Sequence, residues 1–212
     1  MKVGIIGSGD VAKALGSGFL KHGHQVMLGT RTPAKLAEWK NANPTGLTGT
    51  FADTAGFAEL VVLAVKGTAA EEALREAGAE NLKGKTVIDA TNPIEDAPPS
   101  NGVLKFFTGP NESLMEKLQT AFPQANFVKA FNSVGNTRMV NPSFKEGKPT
   151  MFLCGRDDQA KASVARILDQ FGWETADMGG PEAARAIEPL CMLWCIPGFL
   201  RDEWTHAFKL LR

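Results

Sequence analysis

Tyrosine is absent from all 212 residues. Any mechanism that protonates its product from a tyrosine hydroxyl, the short-chain dehydrogenase scheme included, is therefore excluded. Histidine is nearly as scarce: His22, His24 and His206 are the only ordinary acid–base candidates near neutral pH. The three cysteines, Cys154, Cys191 and Cys195, make neither a disulfide framework nor a CxxC metal motif, which fits a reducing cytoplasmic setting and no metal site. Charge of one sign is also missing. Lys and Arg number 23 and Asp and Glu number 23, so no net field draws nucleic acid or an anionic membrane surface. The longest apolar run, near Leu190 to Leu200, contains Pro197 and is expected to fall short of the ~20 residues a bilayer demands. Strand-like residues follow Met1 almost at once, so no secretory leader is expected.

What is present is a globular composition, 43% hydrophobic and 22% charged, in a length suited to one domain. Short apolar runs alternate with longer amphipathic stretches, the pattern of repeated βα units around a parallel sheet. Strands are predicted at Val3–Ile6, Gln25–Gly29, Leu60–Val65, Thr86–Ala90, Phe127–Phe131, Met151–Cys154 and Trp173–Ala176, with a weaker one at Leu47–Phe51. Helices are predicted at Val11–His22, Pro33–Asn43, Ala69–Ala77, Glu112–Phe122, Gln159–Phe171 and Pro181–Trp194. The expected fold is a Rossmann-type α/β domain over residues 1–180, doubly wound and mostly parallel, with a C-terminal helical extension over 181–212 packed on it. Core packing is the default role of that extension; a lid on the cleft or a homodimer interface are the alternatives. The proline-rich text from Asn92 to Pro110 reads as a long functional or mobile loop.

Gly7-Ser8-Gly9-Asp10-Val11-Ala12 is a G-x-G-x-x-A fingerprint placed after a strand and at the start of a helix, the context that gives it meaning. Gly7 permits the tight turn, Gly9 lets the backbone approach a pyrophosphate, and Ala12 is small enough for close packing of helix on strand. The anion is then held by free amides at the positive end of the helix dipole. About twenty residues later an NAD-binding domain carries Asp or Glu for the ribose hydroxyls. Here the second strand ends in Leu28-Gly29-Thr30-Arg31. Thr30 and Arg31, with Lys35 further on, instead offer donors and positive charge to a 2′-phosphate, which selects NADP(H).

Ligands of doubly wound sheets bind beyond the carboxyl ends of the strands. The segments there are Ala64-Val65-Lys66, Ala90-Thr91-Asn92-Pro93 and Lys129-Ala130-Phe131-Asn132, small and amide-bearing, which suits a flat nicotinamide. Asn92 and Asn132 read equally well as turn residues. His22 and His24 fall at the opposite end of the sheet and read as structural, while His206, placed in the terminal helix, is as readily exposed as catalytic. Cys191 and Cys195 share a helix face as small hydrophobes. No catalytic side chain is assigned. A cleft without a dedicated acid favours an acceptor whose own conjugated ring spreads the incoming charge, such as a flavin or deazaflavin.

Gly7-Ser-Gly-Asp-Val-Ala12, Gly29-Thr-Arg31, Asp89-Ala-Thr-Asn-Pro93, Lys129-Ala-Phe-Asn132 and Cys154-Gly-Arg-Asp157 resemble, in order and spacing, the NADPH:deazaflavin-coenzyme oxidoreductase family, the coenzyme F420-dependent type. Asp177-Met-Gly-Gly180, Ala184-Arg185 and Glu188-Pro-Leu190 extend the resemblance through the last helices. The module is also similar to the cytoplasmic oxidoreductase domain of the six-transmembrane metalloreductases. The resemblance implies NADP contacts from Gly7, Ser8, Gly9, Asp10, Val11, Thr30 and Arg31, with Ala64, Val65, Asn92 and Ala130 nearer the nicotinamide. Lys66 stands where the deazaflavin enzymes usually have proline. The expected activity is hydride transfer between NADP(H) and a small flavin or deazaflavin acceptor. An imine or pyrroline reductase-like dehydrogenase and a non-catalytic NADP sensor are the alternatives.

Overall fold

The computed structural model describes residues 1–211. Eight strands, β1 (Lys2–Ile6), β2 (Gln25–Gly29), β3 (Leu47–Gly49), β4 (Leu60–Leu63), β5 (Thr86–Asp89), β6 (Asn126–Lys129), β7 (Thr150–Gly155) and β8 (Glu174–Asp177), form one sheet in the order β3-β2-β1-β4-β5-β6-β7-β8. Every pairing is parallel except β6 with β7. This is a Rossmann-like α/β fold. The order reverses at β1, so β2 lies on one side of it and β4 on the other, and the loops that follow these strands diverge into a crevice.

The helices are α1 (Asp10–Lys21), α2 (Ala37–Ala42), α3 (Phe51–Phe57), α4 (Ala70–Ala77), α5 (Ala79–Leu82), α6 (Leu114–Ala121), α7 (Asp158–Gln170) and α8 (Ala184–Arg201). They cover both faces of the sheet. Val3, Ile5, Leu28, Val62 and Val128 pack into one cluster with Leu15 and Phe19 of α1 and Val164 and Leu168 of α7. Ile6, Val61, Leu63 and Phe127 pack into the other with α3, α4 and α6. Burial on both sides explains why β4 reads as an unbroken apolar run.

Most predicted elements shift by only a few residues. The helix predicted over Pro33–Asn43 is a 3₁₀ turn, Pro33–Leu36, continued by α2. The weak strand ends at Gly49, because Thr50 caps a helix the expectations lacked: its side chain accepts from the Asp53 amide while the Asp53 carboxylate accepts from the Thr50 amide. The long post-β5 loop is in part a hairpin. Ile94 pairs with Phe106 and Ser100 with Val103, and Asn101 and Gly102 at its tip both have positive φ, the two-residue turn that Asn-Gly favours.

The C-terminal segment departs most from expectation. It is helical only to Arg201, and residues 202–211 run on without regular structure, so His206 lies outside the helix. Its ring stacks on Trp194 and contacts the Trp194 carbonyl oxygen at 3.0 Å. Among the described residues one helical stretch, Pro181–Arg201, is long and apolar enough to cross a membrane, so the apolar text there is not too short. Pro189 and Pro197 do not end it. Its inner face, Ala184, Ile187, Cys191 and Trp194, is buried in the domain, and so is the charged Glu188.

Candidate functional site

The turn after β1 is shaped by two glycines for different reasons. Gly7 has φ +142°, and a Cβ there would collide with the Ala64 carbonyl oxygen. Gly9, the N-cap of α1, has no atom within 4 Å of where its Cβ would stand, so the space over the turn is open. No side chain caps α1. The amides of its first turn are thus available to an anion, in a concavity with room for one.

That turn opens into a groove of about 610 Å³, lined by Gly7, Ser8, Gly9, Asp10, Val11, Thr30, Arg31, Lys35, Ala64, Val65 and Lys66, together with Thr32, Phe51, Ala69 and Ala90. Ala12 is behind the turn and fully buried. Phe51 and Ala69 were not foreseen; the Thr50-x-x-Asp53 cap that starts α3 at Phe51 was the signal for the first. The Thr30 hydroxyl donates within reach of both Ser8 Oγ, at 3.1 Å, and the Thr32 carbonyl, at 3.2 Å, and so joins the glycine turn to the end of β2. Arg31 projects from that same end and is half exposed. These residues fit NADP(H): open backbone, helix amides and a cation where a ribose carboxylate would otherwise be.

A second cavity of about 600 Å³ abuts the first, and Val65, Lys66 and Ala90 line both. Thr91, Asn92, Ile94, Glu95 and Asp96 complete most of its wall. Lys66 Nζ lies 2.6 Å from Asp96 Oδ1, linking the β4 loop to the hairpin, and Thr68 donates to Asp96 Oδ2 at 3.2 Å. The Lys66 hydrogen bond and charge hold the Asp96 carboxyl below the usual range. Glu95 is paired with Lys105. Among the described residues no His or Cys lines either cavity.

Asn92 and Asn132 are brought together, but chiefly to each other. Asn92 Nδ2 donates to the Asn132 carbonyl at 2.8 Å, and Asn132 Nδ2 donates to Asn92 Oδ1 at 3.2 Å and to the Ile187 carbonyl at 2.9 Å. The pair clips the loops after β5 and β6 to α8. Phe131 between them has φ +63°, an uncommon backbone state for a bulky residue, held by full burial. Ala130 is buried, its amide bonded to Asp89, and lines neither cavity.

Beneath this cleft is a network that the sequence reading missed. Lys129 Nζ is 2.7 Å from Asp89 Oδ2, 2.9 Å from Glu188 Oε1 and 2.9 Å from the Thr91 carbonyl, with all three charged groups buried. Burial alone would push the Lys129 ammonium down, but the Asp89 and Glu188 carboxylates outweigh it and hold its pKa above the ordinary value. Glu188 also accepts the Leu114 and Met115 amides at the start of α6. No local signal marked it, since the three residues are far apart in the chain. His22 and His24 bond Asn141 and Gln170 far from the groove.

The family model described as "NADP oxidoreductase coenzyme F420-dependent" matches residues 2–93. A solved structure of a candidate F420-dependent NADP reductase from Arthrobacter sp. FB24 is 34% identical, with a TM-score of 0.94 and 100% of each chain covered. The chain belongs to this family of NADP-dependent oxidoreductases. Metalloreductase STEAP3 of Rattus norvegicus is 29% identical over 94% of the chain, and metalloreductase STEAP2 of Homo sapiens 28% over 89%. The chain spans 39% and 35% of those two relatives' lengths. An imine reductase of Streptomyces aurantiacus shares the fold, with 18% identity, a TM-score of 0.68, and 94% of this chain and 63% of that one covered.

Proposed function

We propose that this family member transfers hydride from NADPH to a flavin or deazaflavin ring seated in the second cavity. The observation that carries the reading is the contiguity of two cavities of nearly equal volume, which share Val65, Lys66 and Ala90 as a common wall. The first accommodates an extended dinucleotide, and the second has the size of a further small-molecule site. Bound NADPH supplies the hydride. The α1 amides and Gly9 hold the pyrophosphate, and Arg31 and Lys35 receive the 2′-phosphate. Small Ala90 and Val65 leave a flat wall against which two rings can stack. Asn92, fixed by Asn132, keeps the loop after β5 in register, so positioning supplies the catalysis. Glu95 and Asp96 are tied up in ion pairs, which suits an acceptor that needs no dedicated proton donor. The three thiols, none in a disulfide, accord with a cytoplasmic setting for this chemistry.

The test is NADPH oxidation followed at the nicotinamide absorbance with FMN, riboflavin, a deazaflavin and a cyclic imine offered separately. Acceptor-dependent oxidation with a flavin or deazaflavin is expected. Turnover with the imine alone, or tight NADPH binding without turnover across the panel, would overturn the reading.

A further inference from the structure

We infer that Glu72 and Glu76 compete with the cofactor for Arg31 and thereby set how strongly the protein prefers NADP(H) over NAD(H). The inference rests on the NADP reading of the groove. Arg31 Nη1 lies 3.5 Å from Glu72 Oε2 and 3.4 Å from Glu76 Oε1. The two glutamates are four residues apart, one turn along α4, on the face opposite Ala70, Ala73, Leu74 and Ala77, which are buried. Arg31 follows β2 and α4 follows β4, so the contact bridges the two lips of the crevice. Of the three residues only Arg31 lines the groove, beyond the end of the second strand, where a dinucleotide's adenosine ribose is expected.

Both contacts are longer than the 2.7–2.9 Å usual for charge-assisted bonds, and all three side chains are substantially exposed. A loose, solvated bridge of this kind is readily exchanged. A phosphate, with more charge and three oxygens, can take the guanidinium bidentately and displace it. The glutamates act in two ways on that exchange. They must give up Arg31, and their own negative charge then stands beside an incoming dianion. NADH has no 2′-phosphate and bears neither cost. Glu72 and Glu76 are thus specificity-determining residues that weaken the preference Arg31 creates.

The experiment is calorimetric titration of NADPH and NADH, at fixed ionic strength, into the wild type, Glu72→Gln/Glu76→Gln, Arg31→Ala and the triple variant. Glu71→Gln is the control: it removes one charge from the same helix, at a residue paired with Arg75 rather than Arg31. The double variant is expected to bind NADPH about threefold to fivefold more tightly, with NADH affinity unchanged. The gain should shrink in the Arg31→Ala background, where only the repulsion between the two carboxylates and the phosphate is left to remove, and be absent in Glu71→Gln. An unchanged NADPH-to-NADH ratio, an equal gain in Glu71→Gln, or a gain undiminished without Arg31 overturns the inference alone. Absence of binding by either dinucleotide to the wild type overturns the cofactor reading and this inference with it.

Discussion

Lys129 Nζ stands 2.9 Å from Glu188 Oε1 with both side chains buried, and this ion pair fastens the end of β6 to the C-terminal helix α8. The same carboxylate receives two amides at the start of α6, so a single side chain joins the sheet, α6 and α8. The network lies under the loops that wall the second cavity, and it fixes their base without touching that cavity.

Replacing Lys129 by methionine leaves Asp89 and Glu188 buried without their cation. Loss of about 3–5 kcal/mol is expected, the cost of stranding a buried charge. Thermal unfolding should move down by roughly 10 °C for a chain of this size; an unchanged midpoint would show the network to be energetically idle.

The two turn glycines should respond differently to alanine. Gly7→Ala meets the Ala64 carbonyl and a positive φ, and should lower the melting temperature. Gly9→Ala has free space, so its melting temperature should stay near wild type while NADPH affinity falls, because the new methyl group occupies the path of the pyrophosphate. Equal binding by Gly9→Ala and wild type would place the phosphates elsewhere.

Arg31→Glu reverses the charge offered to the 2′-phosphate. A charge-assisted contact is worth about 1.5–3 kcal/mol, so NADPH affinity should fall roughly 10- to 100-fold and NADH affinity far less. Comparable losses for both cofactors would remove Arg31 from the specificity role.

Glu116 accepts three hydrogen-bond contacts from the Arg185 guanidinium, and these hold its carboxyl below the ordinary value. A depressed folded-state pKa contributes stability above the unfolded value near 4.5, and that stability is lost as pH falls through the folded value. Glu116→Gln should therefore lower stability at pH 7 by up to about 1 kcal/mol, since the pair is partly exposed. The difference from wild type should close in strong acid. Denaturant titrations from pH 7 downward check it; a gap that does not narrow as the pH falls contradicts the assignment.

The thiols should sort by environment. Burial pushes Cys154 up to about 12, whereas the Cys191 hydrogen bond brings Cys195 below its usual value. In native protein at pH 8, iodoacetamide should label Cys195 and spare Cys154 until the chain unfolds, as peptide mapping can follow. Early modification of Cys154 would mean that the interior opens readily.

Much of the candidate site was legible in one dimension because its parts are local. Gly7 through Ala12 are consecutive, their meaning depends only on a strand before and a helix after, and Thr30 and Arg31 are located by counting from them. Asn101-Gly102 and Thr50-x-x-Asp53 follow rules of the same local kind, a two-residue turn and a capping box, though each sits within proline-rich or apolar text. The Lys129–Asp89–Glu188 network was not legible in that way: its members lie 40 and 59 residues apart along the chain, and nothing local distinguishes a buried lysine from a solvated one.

Sequence alone determined the alternation of strand and helix, the phosphate-binding turn and the absence of a ribose carboxylate, because each depends on residue size, backbone freedom or charge at neighbouring positions. Tertiary structure decided that Asn92 spends its amide on Asn132, that Arg31 faces Glu72 and Glu76, and that a helix apolar enough for a membrane buries one face on a sheet. Those outcomes depend on which distant segments share a layer, and the partner of a side chain is chosen by packing across the sheet rather than by its neighbours in the chain.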